Sequence, residues 1–149
     1  MGAGIAYVTA KAGIEVVLID QDQDNAEKGK DYSVKLLDKA LSRKKTTEEK
    51  REYLLNLITP TTDYNLLKGA DLIVEAVFEN RDIKADVTKK AEAQISETAV
   101  FGSNTSTLPI TGLSKSSERP SNFIGIHYFS PVEKMPLVEI IMGEETSLS

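Results

Sequence analysis

The 149 residues predict an α/β domain: an open, mostly parallel sheet flanked by helices. Three observations predict it. Short apolar runs recur at "IEVVLID" (14–20), "GADLIVEAVF" (69–78) and "NFIGIHYF" (122–129), the pattern of strands buried on both faces. Helix-length amphipathic stretches separate the first two runs and follow the second. The last two runs, "NFIGIHYF" and "PLVEIIM" (136–142), have only a short Pro-containing loop between them, so one edge of the sheet must pair differently.

Taken in order, residues 3–12 suit a helix, with Gly13 as its C-terminal stop. Gly2, Ala3, Gly4 and Ala6 carry little or no side chain, so this helix can lie close to a sheet or a ligand. "IEVVLID" reads as a buried strand ending in an acid. "NAEKGKDYSVKLLDKALSRKK" reads as a helix with Val34, Leu37 and Leu41 on one face. "TTEEKREYLLNLI" opens with Thr46 three residues before Glu49, the spacing of a capping box at the start of another helix. "GADLIVEAVF" is the next strand and "RDIKADVTKKAEAQIS" an amphipathic helix. "AVFGS" (99–103) is a short strand and "NTSTLP" a polar loop closed by Pro109. Two more strands follow, and "GEETSLS" reads as an unstructured end.

Composition excludes several functions. A net charge of −5 gives no broad basic face for nucleic acid. No apolar run reaches the length of a membrane span, and the start lacks the basic and apolar regions of a secretory signal. The absence of cysteine removes disulfides and thiolate metal sites. A single histidine, His127, leaves no His-rich zinc site.

In an open α/β sheet, ligands sit beyond the carboxyl ends of the strands. That directs attention to Asp20, to 77–79, to 103–106 and to His127. An acid at the end of the second strand of a βαβ unit can bind both ribose hydroxyls of NAD and repels the extra phosphate of NADP. Asp20 lies 18 residues after Gly2, a fit to the dinucleotide fingerprint if Gly2 is the last glycine of its turn. A strand-terminal Asp that merely shapes a turn fits equally well. On the dinucleotide reading, the chain is expected to open in the second half of such a unit, without its first strand. Glu75, inside an apolar run, needs a partner or a place at the strand end. Glu79 falls just past the strand and can face the crevice, whereas Lys84 by itself reads as a solvated helix lysine.

Any imidazole acid–base chemistry must use His127. Alternation along "PLVEII" puts Leu137, Glu139 and Ile141 on one face, and a carboxylate between apolar neighbours calls for a partner. A His127–Glu139 pair would orient the ring and favour its protonation, as needed to take a proton from an alcohol while hydride leaves its carbon. Ser106, in "SNTST", could hydrogen-bond the substrate oxygen. Alternatively the hydroxyls and Asn104 of this loop only satisfy backbone groups.

"GADLIVEAVFENRDIKADV", "GSNTSTLPIT" and "RPSNFIGIHYFSPVEKMPLVEII", in this order and spacing, resemble the L-3-hydroxyacyl-CoA dehydrogenases, over nearly all of the chain. "SPVEKMPLVEII" is most similar to the large α-subunits of bacterial fatty-acid oxidation complexes. The resemblance implies a Rossmann-type NAD-binding domain spanning 1–149. It is expected to lack its first strand and to be cut at both ends, without the family's helical C-terminal domain. It implies NAD-dependent oxidation of L-3-hydroxyacyl-CoA in fatty-acid β-oxidation, within a multifunctional protein that associates with a thiolase subunit in the bacterial cytoplasm. His127 matches the catalytic base, Glu139 its carboxylate partner, and Ser106 the serine near nicotinamide and substrate oxygen. Cofactor positions match Met1 and Gly2 in the glycine-rich turn, Asp20 at the adenosine ribose, and Val77, Phe78, Glu79, Lys84 and Ser130; relatives often have Asn at this last position. The isolated chain is expected to bind NAD weakly, to turn over little, and to self-associate through its vacant sheet edge. A binding module without catalysis, and a dehydrogenase of small hydroxy acids with a lysine base, are the alternatives.

Overall fold

A computed structural model describes residues 1–148. The chain divides into two compact units, one of Met1–Asp63 with Ser130–Met135, the other of Tyr64–Phe129 with Pro136 onward.

In the first unit, helix α1 (Gly2–Lys11) is followed by Gly13 at φ +87°, the left-handed turn that the sequence signals, and then by strand β1 (Val16–Ile19). Helix α2 (Gln23–Ser42) starts at Asp22, whose carboxylate accepts the Asn25 N–H at 2.8 Å. Helix α3 (Glu48–Asn56) is capped by Thr47 rather than Thr46: the Thr47 hydroxyl accepts the Lys50 N–H at 3.2 Å. Glu48 and Glu49 then occupy the first turn, where the helix dipole favours acids. Strand β2 (Ile58–Thr61) was not expected, because Pro60 interrupts a short polar run. It pairs parallel to β1 alone, with Pro60 opposite Leu18, and an edge strand tolerates a residue without an N–H. β1 is half-buried along its length rather than covered on both faces, and among the described residues it pairs with β2 alone. Tyr7, Ala10, Leu37, Leu54 and Ile58 form the core here. The segment 130–135 packs against α1, where Gly4 admits it: a Cβ at Gly4 would lie 3.1 Å from Val132. The Tyr32 hydroxyl also donates to Glu133 at 2.6 Å.

The second unit holds a four-stranded sheet in the order β3 (Leu72–Glu75), β4 (Val100–Ser103), β5 (Phe123–Tyr128), β6 (Val138–Ile141). The first three are parallel and β6 runs antiparallel to β5, which is the changed pairing that the missing helix predicts. β3 is shorter than its apolar run: the Glu75 carboxylate accepts the Val77 N–H at 3.0 Å, and 76–78 leave the sheet, with Phe78 exposed. Helix α4 (Arg81–Glu92) begins at Asn80, whose side chain accepts the Ile83 N–H at 3.0 Å. Phe101 of β4 stacks on Phe123 of β5 with ring centroids 5.3 Å apart. A short helix, α5 (Ile110–Ser114), follows the polar loop closed by Pro109 in a stretch to which the sequence assigns no element, and it buries Ile110 and Leu113. Gly125 makes room for it, since a Cβ there would lie 2.7 Å from Ile110 Cδ1 and 2.9 Å from Ile141 Cβ.

Candidate active site

Met1, Gly2, Asp20 and Ser130 fall in the first unit; Val77, Phe78, Glu79, Lys84, Ser106, His127 and Glu139 fall in the second.

Met1 is the N-cap of α1 and offers no capping side chain, and the first turn of the helix contains no acid. The leading N–H groups of such a helix are open to an anion. Asp20 follows β1 directly and is exposed; among the described residues its Oδ1 accepts only the Gln21 N–H, at 2.7 Å. An exposed carboxylate with one backbone contact retains acceptors for a ribose diol. Both features fit a dinucleotide of the NAD type. Ser130 is exposed at the start of the 130–135 segment.

In the second unit a buried charge cluster gathers the ends of β3 and β4. Lys84 is 1% exposed, so it is not the solvated lysine that its helix position suggests. Its ammonium lies 2.7 Å from Glu75 Oε2 and 3.3 Å from Glu79 Oε1, and donates to the Asn104 carbonyl at 3.3 Å. A buried ammonium costs several kcal/mol (about that much even after relaxation) unless compensated, and these oxygens compensate it. Glu75 in turn accepts the Ser103 hydroxyl at 2.7 Å, which is the partner its place in an apolar strand required.

Glu79 holds the loop after β4. Its Oε2 accepts the hydroxyls of Thr105 at 2.7 Å and Thr107 at 2.9 Å, and lies 3.4 Å from the Ser106 nitrogen. Desolvation alone would raise the Glu79 carboxyl, but the Thr105 and Thr107 hydrogen bonds and the Lys84 charge outweigh it and bring its pKa down to about 2. Ser106 is exposed, and its hydroxyl has no partner among the described residues, so it can meet a ligand oxygen. Thr105 also accepts the Leu108 N–H at 3.0 Å, and Asn104 the Tyr128 N–H at 3.0 Å, so part of this loop does satisfy backbone groups. Sequence reasoning reached Glu79 and Lys84 separately. It missed that Glu75, Ser103, Thr105 and Thr107 join them; the one signal was a carboxylate inside an apolar run.

His127 and Glu139 are directly opposite in the antiparallel β5–β6 register. His127 Nδ1 lies 3.0 Å from Glu139 Oε1, and the ring is tilted against Phe129 at 4.5 Å. Burial is not what pairs them: β6 is exposed throughout and the Glu139 side chain is 53% exposed. Register supplies the contact instead. A carboxylate only accepts, so in the neutral ring Nδ1 carries the proton and the lone pair falls on Nε2.

An imidazole set up in this way near the carboxyl end of a parallel strand, and an exposed acid directly after β1, fit the class of dinucleotide-binding α/β domains. The family described as 3-hydroxyacyl-CoA dehydrogenase, NAD binding domain, matches residues 1–149, and the chain belongs to that family. It is 47% identical over 148 residues to the fatty acid oxidation complex subunit alpha of Shewanella amazonensis, covering 99% of the chain and 21% of that subunit. The chain therefore spans about a fifth of the length of this curated relative. Among solved structures it is similar to (S)-3-hydroxybutyryl-CoA dehydrogenase from Ralstonia eutropha, with TM-score 0.94 and 37% identity over 99% of this chain and 52% of that one. It is also similar to 3-hydroxybutyryl-CoA dehydrogenase from Escherichia coli K12, with TM-score 0.94 and 32% identity over 99% of this chain and 31% of that one. Among the described residues no helix is long and apolar enough to cross a membrane.

Proposed function

We propose that this chain is the NAD-binding and catalytic-base part of an enzyme that oxidises L-3-hydroxyacyl-CoA to 3-oxoacyl-CoA in fatty-acid oxidation. The observation that carries the reading is the His127–Glu139 pair, 3.0 Å apart at opposed strand positions. His127 Nε2 takes the proton of the C3 hydroxyl, and Glu139 holds the ring in the tautomer that can do so. Ser106 donates to the same oxygen as it becomes a carbonyl. NAD, when bound, supplies the acceptor for the hydride that leaves C3. The leading N–H groups of α1, after Met1 and at Gly2, hold its pyrophosphate, and Asp20 accepts from the adenosine ribose. Val77, Phe78, Glu79 and Ser130 complete the cofactor contacts in this reading. Lys84, expected as a cofactor contact, is 1% exposed and acts from within the protein instead, by fixing Glu79 and the Asn104 carbonyl. A multifunctional parent, a thiolase subunit as partner and a cytoplasmic location belong to the same proposal and rest on the likeness to the α-subunits.

The test is an assay of the Shewanella amazonensis subunit in which this chain replaces the stretch it matches. NADH formation from L-3-hydroxybutyryl-CoA and NAD is the expected result, with no reaction of the free hydroxy acid. NADH binding without thioester-dependent turnover would leave a binding module only. Turnover of the free acid would point to a dehydrogenase of small hydroxy acids.

A further inference from the structure

We infer that Asn104 is a positioning residue that locks the Ser106 loop to the strand carrying His127. The backbone ladder between β4 and β5 ends at the pair Ser103–Gly125, yet β5 continues to Tyr128. Past that point no strand partner remains for β5 on the β4 side, and the Asn104 side chain takes the place of one. Its Oδ1 accepts the Tyr128 N–H at 3.0 Å. An N–H can only donate, so the amide oxygen, not the nitrogen, must face Tyr128.

Asn104 is itself held at both backbone ends. Its N–H donates to the Glu75 carbonyl at 2.7 Å, and its carbonyl accepts from the buried Lys84 ammonium at 3.3 Å. One residue thus ties β3, α4 and β5 together. Ser106 is two residues beyond it, and His127 is one residue before Tyr128. The Asn104–Tyr128 bond therefore ties the Ser106 loop directly to the strand that carries His127, one step beyond the last ladder pair, Ser103–Gly125. Without that bond the loop keeps its ties to Glu75, Lys84 and Glu79 on the β3 side but loses its side-chain tie to β5 beyond Gly125. The role rests on the function proposed above, in which both groups address one substrate oxygen, where small displacements cost turnover heavily.

The substitution Asn104→Leu keeps the shape and removes the acceptor, whereas Asn104→Asp keeps an oxygen facing Tyr128. Amide hydrogen exchange on the 149-residue chain reads the bond directly. Exchange at Tyr128 is expected to speed up by about tenfold or more in Asn104→Leu, as for a lost protecting bond, and to stay near wild type in Asn104→Asp. In the chimeric subunit, Asn104→Leu should lower kcat by about tenfold or more with little change in the KM for NAD, and Asn104→Asp should restore most of it. Asn122→Ala is the control: it removes side-chain bonds to the Glu97 and Ala99 carbonyls at the other end of β5. It should cost stability and leave kcat as it is. A wild-type Tyr128 amide that exchanges freely overturns the inference even if Asn104→Leu does not fold. So does an Asn104→Leu kcat equal to wild type in a chimera that is active. A wild-type chimera without turnover refutes the function itself, and the exchange result then still decides whether the bond exists.

Discussion

At the scale of single residues, the pairing of His127 with Glu139 was legible because two strands with a short connection must run antiparallel and bring such residues opposite each other. A carboxylate squeezed between apolar neighbours is not what makes the pair, since β6 is exposed. Lys84 was illegible: nothing in a helical "RDIKADV" says that two carboxylates from another element draw its ammonium inside. Glu79 carries a pH signature. Its folded pKa of about 2 lies below the ordinary 4.5, so the stability it contributes is complete above 4.5 and is lost as pH falls toward 2. Glu79→Gln should therefore flatten the pH dependence of stability across that window, read by urea unfolding at pH about 5 and about 3. An unchanged slope would mean that Glu79 is not held by Thr105, Thr107 and Lys84. Asp20 predicts cofactor choice. The chain should bind NADH in preference to NADPH, and Asp20→Ala should weaken NADH by about 1.5–3 kcal/mol, the worth of hydrogen bonds to a charged group. Fluorescence titration with both cofactors checks this, and equal affinities in wild type would contradict it.

At the scale of elements, strands and long helices were read correctly wherever one periodicity ran for long enough. α2 shows its face in Val34, Leu37 and Leu41, although it starts at Gln23 rather than Asn25, and β5 shows itself as an apolar run. β2 and α5 were missed because each is four or five residues long and begins beside a proline or contains one. Their existence depends on partners distant in sequence, β1 for β2, and Gly125 for Ile110 of α5. The fit at Gly125 gives a sharp prediction. Gly125→Val would drive a branched side chain into Ile110 and Ile141, and should destabilise the chain by about 1–3 kcal/mol, the usual cost of overpacking. A urea midpoint within error of wild type would show that α5 can retreat freely.

At the scale of the whole chain, the open α/β class, the parallel order and the antiparallel edge all follow from how apolar runs and helices alternate. What alternation could not convey was the division into two compact units, with the 130–135 segment returning to the first. That return depends on Gly4 against Val132 and on Tyr32 against Glu133, contacts between residues about a hundred positions apart that carry no local signal. The account's central claim is that His127 takes the substrate proton in an NAD-dependent oxidation. Its most direct measurement is thioester-dependent NADH formation by the chimeric subunit with His127→Ala, with NADH binding titrated on the same sample. The account predicts that turnover is abolished while NADH still binds. Turnover at the wild-type rate would contradict it.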